Sequence, residues 1–148
     1  MFFSAKTRAA ILMLVDIAVN QSSRNVKVRD IAARTGVSFK YVEQVIHSLS
    51  AAGLTSGERG PLGGYRLNMP PEDIAVIDIV RATETASAQG SENEGTCSWI
   101  SKCVDMVVWT PIDEAVEDII SKVTLADILE KARAEGMIDA VTEPEYYI

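Results

Sequence analysis

Cys97 and Cys103 are the two thiols of the chain, with five residues between them in a polar, glycine-flanked stretch. Thiolate is both a metal ligand and the form of sulfur that oxidises, so such a pair suits ligation or redox chemistry. Five intervening residues also let the two Cα atoms come within the ~4.4 to 6.8 Å of a disulfide if the chain turns back on itself. Burial as inert small apolar residues is the bland alternative. Nucleophilic catalysis finds no support: the single histidine, His47, lies on a polar helical face far along the chain, and neither a Cys/His nor a Ser/His/Asp set can be built around it.

A second group of residues carries charge and amides. Lys40, Glu43, Gln44 and His47 recur on one face of a helical pattern whose other face is Val42, Val45, Ile46 and Leu49. Such side chains match base edges: Gln bonds bidentately to adenine, Glu accepts from the cytosine amino group, and Lys reaches guanine or a phosphate. Exposed helix faces are polar in any case, so this one needs a second feature to mean more. It follows in "ERGPLGGYRL", residues 58 to 67, with three glycines, a proline and two arginines in ten positions. A phosphate-binding P-loop needs a Gly-Lys-Ser/Thr ending that opens a helix. Here Tyr65, Arg66 and Leu67 alternate as in a half-buried strand, so the glycines mark the tip of a β-hairpin.

Both features need a scaffold. A first helix begins behind Ser4 and is apolar almost all round from Ala9, so it is expected to be enclosed by other elements. Two short helical patterns follow, Arg29 to Arg34 and Phe39 to Ala51, the second behind Ser38 as N-cap. Ala32, four residues before Gly36, lets the pair approach closely, Gly36 supplies the turn, and Val42 plugs the pair into the core, which is helix-turn-helix spacing. A helix before that motif and a Gly-rich hairpin after it make a winged helix. Its second motif helix enters the major groove while the hairpin tip reaches the phosphates or the minor groove.

Beyond the wing, Pro70 and Pro71 break the chain and a short helix is expected to turn Ile74, Ile77 and Val80 inward. After a polar loop, a long helix runs from about Val104 to Lys122, with Pro111 at a kink or in its first turn. Val108, Ile112, Ala115, Val116, Ile119 and Ile120 form its apolar side; Asp113, Glu114, Glu117 and Asp118 form its exposed side. So small a chain offers that stripe little to pack on, and a helix from a second copy is the expected cover. Trp99 and Trp109 are expected to be packing residues. A last helix is capped by Thr124 and ended at Gly136.

The overall charge of −7 conceals an asymmetry: residues 1 to 70 hold nine Lys/Arg against four Asp/Glu, and residues 71 to 148 hold five against seventeen. A basic half joined to an acidic half is the balance of a chain that meets nucleic acid with one part only. The longest apolar run, Ala9 to Val19, is broken by Asp16 and falls short of the ~20 residues of a membrane span. No clean cleavage site follows it, and two cysteines are too few to staple a secreted fold, so a reducing cytoplasm is the expected setting.

The stretches "DIAARTGVSFKYVEQVIHSLSAAGL", "RGPLGGYRL", "PPEDIAVIDIVRATE" and "VTLADIL" resemble, in order and over roughly residues 1 to 130, the bacterial winged-helix regulators that include the iron-sulfur cluster regulator IscR, NsrR and CymR. The resemblance implies a mostly α fold, a winged helix-turn-helix with a small β-hairpin wing and a long C-terminal dimerisation helix. It implies a homodimer on a double-stranded DNA operator and no enzyme activity. Ser38, Lys40, Tyr41, Glu43 and Gln44 fall where the family reads DNA, and Arg59 with Gly60 where its wing enters the minor groove.

Many members of that group carry a 2Fe-2S or 4Fe-4S cluster on the loop before the long helix. They usually hold it on three cysteines spaced five apart, in some with a histidine after the last. Here Ser91 stands in line with Cys97 and Cys103, and Met106 is near the histidine's place. A serine hydroxyl is a poor iron ligand beside a thiolate. Two thiols per chain suffice for a bridged 2Fe-2S cluster only if two loops meet across a dimer; otherwise Ser91, Glu92, Glu94 or Asp105 would have to complete the shell.

The expected organisation is a winged-helix DNA-binding domain over residues 1–83, a sensor loop over 84–103, the dimerisation and final helices over 104–136, and a tail over 137–148. The expected function is a homodimeric regulator, a repressor, whose operator affinity responds to a redox, iron-sulfur or small-molecule signal at Cys97 and Cys103. The alternatives are a family member without cofactor that acts through a partner protein, or an acidic protein-interaction module.

Overall fold

A computed structural model describes residues 3–84 and 98–138. Helix α1, Ala5–Asn20, starts where the Ser4 side chain accepts from the backbone N–H of Thr7 at 3.3 Å. Ala10, Met13, Leu14 and Ile17 recur at helical spacing and are fully buried. Leu12, on another side, is half exposed, so α1 is enclosed on one flank and not all round as its composition predicts.

Helices α2, Val28–Thr35, and α3, Phe39–Ala51, meet at the glycine the sequence marks as a turn. Gly36 has φ 75°, and a Cβ there would meet nothing within 4 Å, so the left-handed backbone, not lack of room, requires glycine. A bidentate pair fastens α2 to α1: Arg34 Nε and Nη2 donate to the two oxygens of Asp16 at 2.7 and 3.0 Å. That hydrogen bonding raises the Arg34 guanidinium further above its ordinary pKa.

Strands β1, Thr55–Glu58, and β2, Gly64–Leu67, pair antiparallel with Thr55 opposite Leu67 and Glu58 opposite Gly64. Val26 flanks the other edge of β2, exchanging backbone hydrogen bonds with Tyr65 at 2.7 and 2.8 Å. The wing is thereby tied to the connection between α1 and α2.

A short 3₁₀ turn leads into α4, Val76–Thr83. Ile74 is buried, but within α4 the buried residues are Ile79, Ala82 and Thr83, while Ile77 and Val80 are half-buried. Spacing counted from Ile74 misplaces the face because Ile74 precedes the cap residue Ala75 in extended backbone, and the helical phase begins afresh at Val76.

The next helix runs unbroken through α5, Trp99–Val104, a wide π turn, Asp105–Trp109, and α6, Thr110–Lys122. It starts at Trp99 and not at Val104, because Ser98 caps it by accepting from the Ser101 N–H at 3.3 Å. Pro111 has no N–H to donate, and its ring crowds the carbonyl four residues back. The π turn, in which the Thr110 N–H reaches the carbonyl of Asp105, widens the helix just ahead of it. Helix α6 packs against α4 with Ile112, Val116 and Ile120 half-buried, whereas Val108, Ala115 and Ile119 are exposed. Helix α7, Leu125–Ala134, carries the expected cap at Thr124, reciprocated by Asp127, and gives way at Gly136 with φ 68°. One core joins α1, α3, the wing base, α4 and Leu125. Among the described residues no helix is long and apolar enough to cross a membrane.

Candidate nucleic-acid interface

Val42, Val45, Ile46 and Leu49 anchor α3 with no more than 1% of their surface exposed, which fixes the opposite side outward. Lys40, Glu43, Gln44 and His47 are all exposed there. Ser38 holds the first turn in place, its Oγ accepting from the Tyr41 N–H at 3.3 Å. Tyr41 is half-buried against the core, so less of it is free than of its neighbours.

Arg59, Gly60, Pro61 and Leu62 form the exposed wing tip, closed by a hydrogen bond from the Gly63 N–H to the Gly60 carbonyl at 2.9 Å. Close approach dictates Gly57, Gly63 and Gly64, whereas Gly60 meets open space and is fixed by its φ of 101°. A Cβ on Gly63 would lie 2.5 Å from the Glu58 oxygen and 2.8 Å from that of Gly60, and one on Gly64 would lie 2.6 Å from the Val26 oxygen. Gly57 leaves room for the Tyr65 ring, which a Cβ would approach to 2.6 Å. Three contacts fasten the wing base: Arg66 Nη2 donates to the Ser22 carbonyl at 3.2 Å, the Leu67 N–H to Gln21 Oε1 at 2.9 Å, and Asn25 Nδ2 to Glu58 Oε2 at 3.3 Å. Arg66 is thus turned to the scaffold, and Arg59 stands at the tip.

The thiol region differs from expectation. Cys103 lies on helix α5, exposed, and not in a loop. Cys97, Ser91, Glu92 and Glu94 lie outside the described residues. Among the described residues no three His, Cys, Asp or Glu side chains are grouped to hold a metal ion, and His47 is exposed on α3. Those residues do not assemble the shell of an iron-sulfur cluster. Trp99, Met106 and Val107 are each more than 70% exposed and Trp109 is half exposed, so within one chain the tryptophans do not pack as expected.

One junction escapes sequence reasoning. Thr7, fully buried at the start of α1, meets Thr83 Oγ1 at 2.7 Å and donates to Glu84 Oε1 at 2.5 Å, while the Ser4 N–H donates to the same carboxylate oxygen at 2.8 Å. The Thr7 hydroxyl and the Ser4 N–H hold the Glu84 carboxyl below its ordinary pKa. No local pattern links residues so distant in sequence; a buried threonine in an otherwise apolar helix face was the only trace.

The family model Rrf2, described as an iron-dependent transcriptional regulator, matches residues 3–131. The HTH-type transcriptional regulator IscR of Vibrio campbellii is 30% identical over 130 residues, 87% of this chain and 77% of that protein. IscR of Klebsiella pneumoniae is 32% identical over 130 residues, covering 87% and 80%. Among solved structures, T. potens IscR superposes with a TM-score of 0.72 at 30% identity, covering 99% of this chain and 97% of the other. CymR, the global cysteine regulator of B. subtilis, gives 0.72 at 26% identity, covering 88% and 98%.

Proposed function

This chain belongs to the Rrf2 family of DNA-binding transcriptional regulators, and from that premise we propose that it binds a palindromic operator as a homodimer and changes affinity when the thiols of Cys97 and Cys103 react or are ligated. The observation that carries the DNA half of this reading is the exposed Lys40, Glu43 and Gln44 face of a helix whose other side is wholly buried, flanked by a wing with Arg59 at its tip. Gln44 and Glu43 read bases from the major groove, Lys40 reaches guanine or phosphate, Ser38 and Tyr41 position and supplement that turn, and Arg59 with Gly60 enters the minor groove. In the family's proteins these are regulators rather than enzymes, and a repressor in the cytoplasm, acting by occlusion, is the simplest use of such a surface.

The dimer reading rests on the apolar surface left open on the long helix: Trp99, Val107 and Ile119 are 74%, 75% and 61% exposed. A second copy's helix covers such a stripe, and pairing two α3 helices sets half-sites about one or two helical turns apart. The sensor reading rests on thiol chemistry. Cys103 is exposed on α5, close in sequence to that same stripe, so a reaction there alters the dimer's arrangement and with it the spacing of the two reading helices.

The test is binding of the purified protein to duplexes selected from a random pool. The proposal predicts a two-fold symmetric site, one dimer per site and affinity that falls steeply with salt as Lys and Arg displace counterions. Protection of a single half-site, or affinity indifferent to salt, contradicts it and favours the acidic half as a protein-interaction module.

A further inference from the structure

We infer that Phe39 is a specificity residue whose ring packs against the C5-methyl group of a thymine in the major groove; the inference rests on the DNA-binding reading of α3. Phe39 occupies the first helical position of α3, directly after the cap Ser38, and 51% of its surface is exposed. The fold makes little use of that ring. The apolar contact that commonly closes a helix start joins the residue before the cap to the fourth helical residue. Here those residues are Val37, which packs on the core, and Val42, which is fully buried, while Tyr41 covers the adjoining surface. Nor does an aromatic residue favour helix formation in itself.

Its position is what gives the ring a use. Phe39 and Glu43 are four residues apart and stand as neighbours on the helix surface, about 5 to 6 Å between Cβ atoms. Lys40 follows at about 100° round the axis, so Phe39 forms one border of the exposed Lys40, Glu43 and Gln44 face. Residues at the N-terminal end of a recognition helix are the ones that meet base edges. Along the major groove every base offers hydrogen-bond donors or acceptors, and thymine adds to its O4 acceptor a C5-methyl group, the prominent apolar feature. A phenyl ring among amide, carboxylate and ammonium groups therefore selects thymine at one position of each half-site, beside the base pair that Glu43 reads.

The experiment uses the full chain and an operator selected from random duplexes, in which each thymine is replaced in turn by deoxyuridine, a change that removes only the methyl group. For the wild-type protein one thymine per half-site should cost about fourfold in Kd when its methyl is lost, the worth of one buried methylene. For Phe39→Ala the same replacement should be silent, with near-wild-type thermal stability because the ring is exposed, and Phe39→Leu should retain part of the discrimination. Salt-dependent binding with no sensitive thymine, or a penalty that survives in Phe39→Ala, overturns the inference and leaves the regulator reading intact. Failure to enrich any duplex overturns both.

Discussion

Thr7 at the start of α1 and Glu84 just after α4 meet at 2.5 Å, hydroxyl to carboxylate, across most of the DNA-binding half of the sequence. With the Ser4 N–H on the same oxygen, the contact closes the entry of the winged helix onto the point where the chain leaves it for the Cys97 segment.

The same contact sets a pH dependence. The folded-state pKa of Glu84 lies below its ordinary 4.5, so its contribution is fully present above that value and is lost as the pH falls through the depressed one. Thermal melts of the wild type and Glu84→Gln should accordingly converge as the pH is lowered below 4.5, the wild type being the more stable at neutral pH. Parallel Tm curves would show that the carboxylate is not linked to folding.

Arg59→Ala should weaken operator binding by about 1 to 3 kcal/mol and leave the melting temperature unchanged, since the side chain is exposed at the tip. Gln44→Ala should relax base preference at one position of each half-site, read by repeating the duplex selection. Wild-type affinity in Arg59→Ala would reduce the wing to a turn.

The wing's glycines are separable by cause. Gly63→Ala drives a Cβ into two backbone oxygens and should cost about 1 to 3 kcal/mol, with hydrogen-exchange protection lost in the hairpin first. Gly60→Ala meets open space and is opposed only by φ 101°, so it should cost less. Equal stability losses in the two variants would contradict the packing account of this turn.

The amphipathic pattern of α3 was legible because Val42, Val45, Ile46 and Leu49 repeat at helical spacing, and both Ser38 and Gly36 act in the structure as their chemistry dictates. The wing was legible because three glycines and a proline stand directly before the alternating Tyr65, Arg66 and Leu67. Ile79 was missed because a helical phase restarts after its cap, and Trp99 because a serine cap six residues before Val104 is weak against a polar context. The Thr7 and Glu84 contact and the bidentate Arg34 and Asp16 pair are long-range, and no spacing rule reaches them. The thiol site is the least legible, because one cysteine pair without a third ligand fits several chemistries.

Val107→Asp tests the dimer surface. Val107 is 75% exposed in the single chain, so the substitution should leave the monomer folded while placing a charge in the covered stripe. Sedimentation should then report a monomer, and operator affinity should fall about 100-fold through lost bivalency. A dimer of unchanged stability would place the interface elsewhere.

The most direct test of the sensor claim is operator Kd measured for the wild type and a Cys97→Ser, Cys103→Ser double variant, each under reducing and oxidising conditions and each with iron and acid-labile sulfide determined per dimer after anaerobic reconstitution. The account predicts that the wild type changes affinity with condition or with iron content and that the double variant holds one affinity throughout. Iron-free protein without a disulfide, binding DNA identically in all four cases, would contradict it.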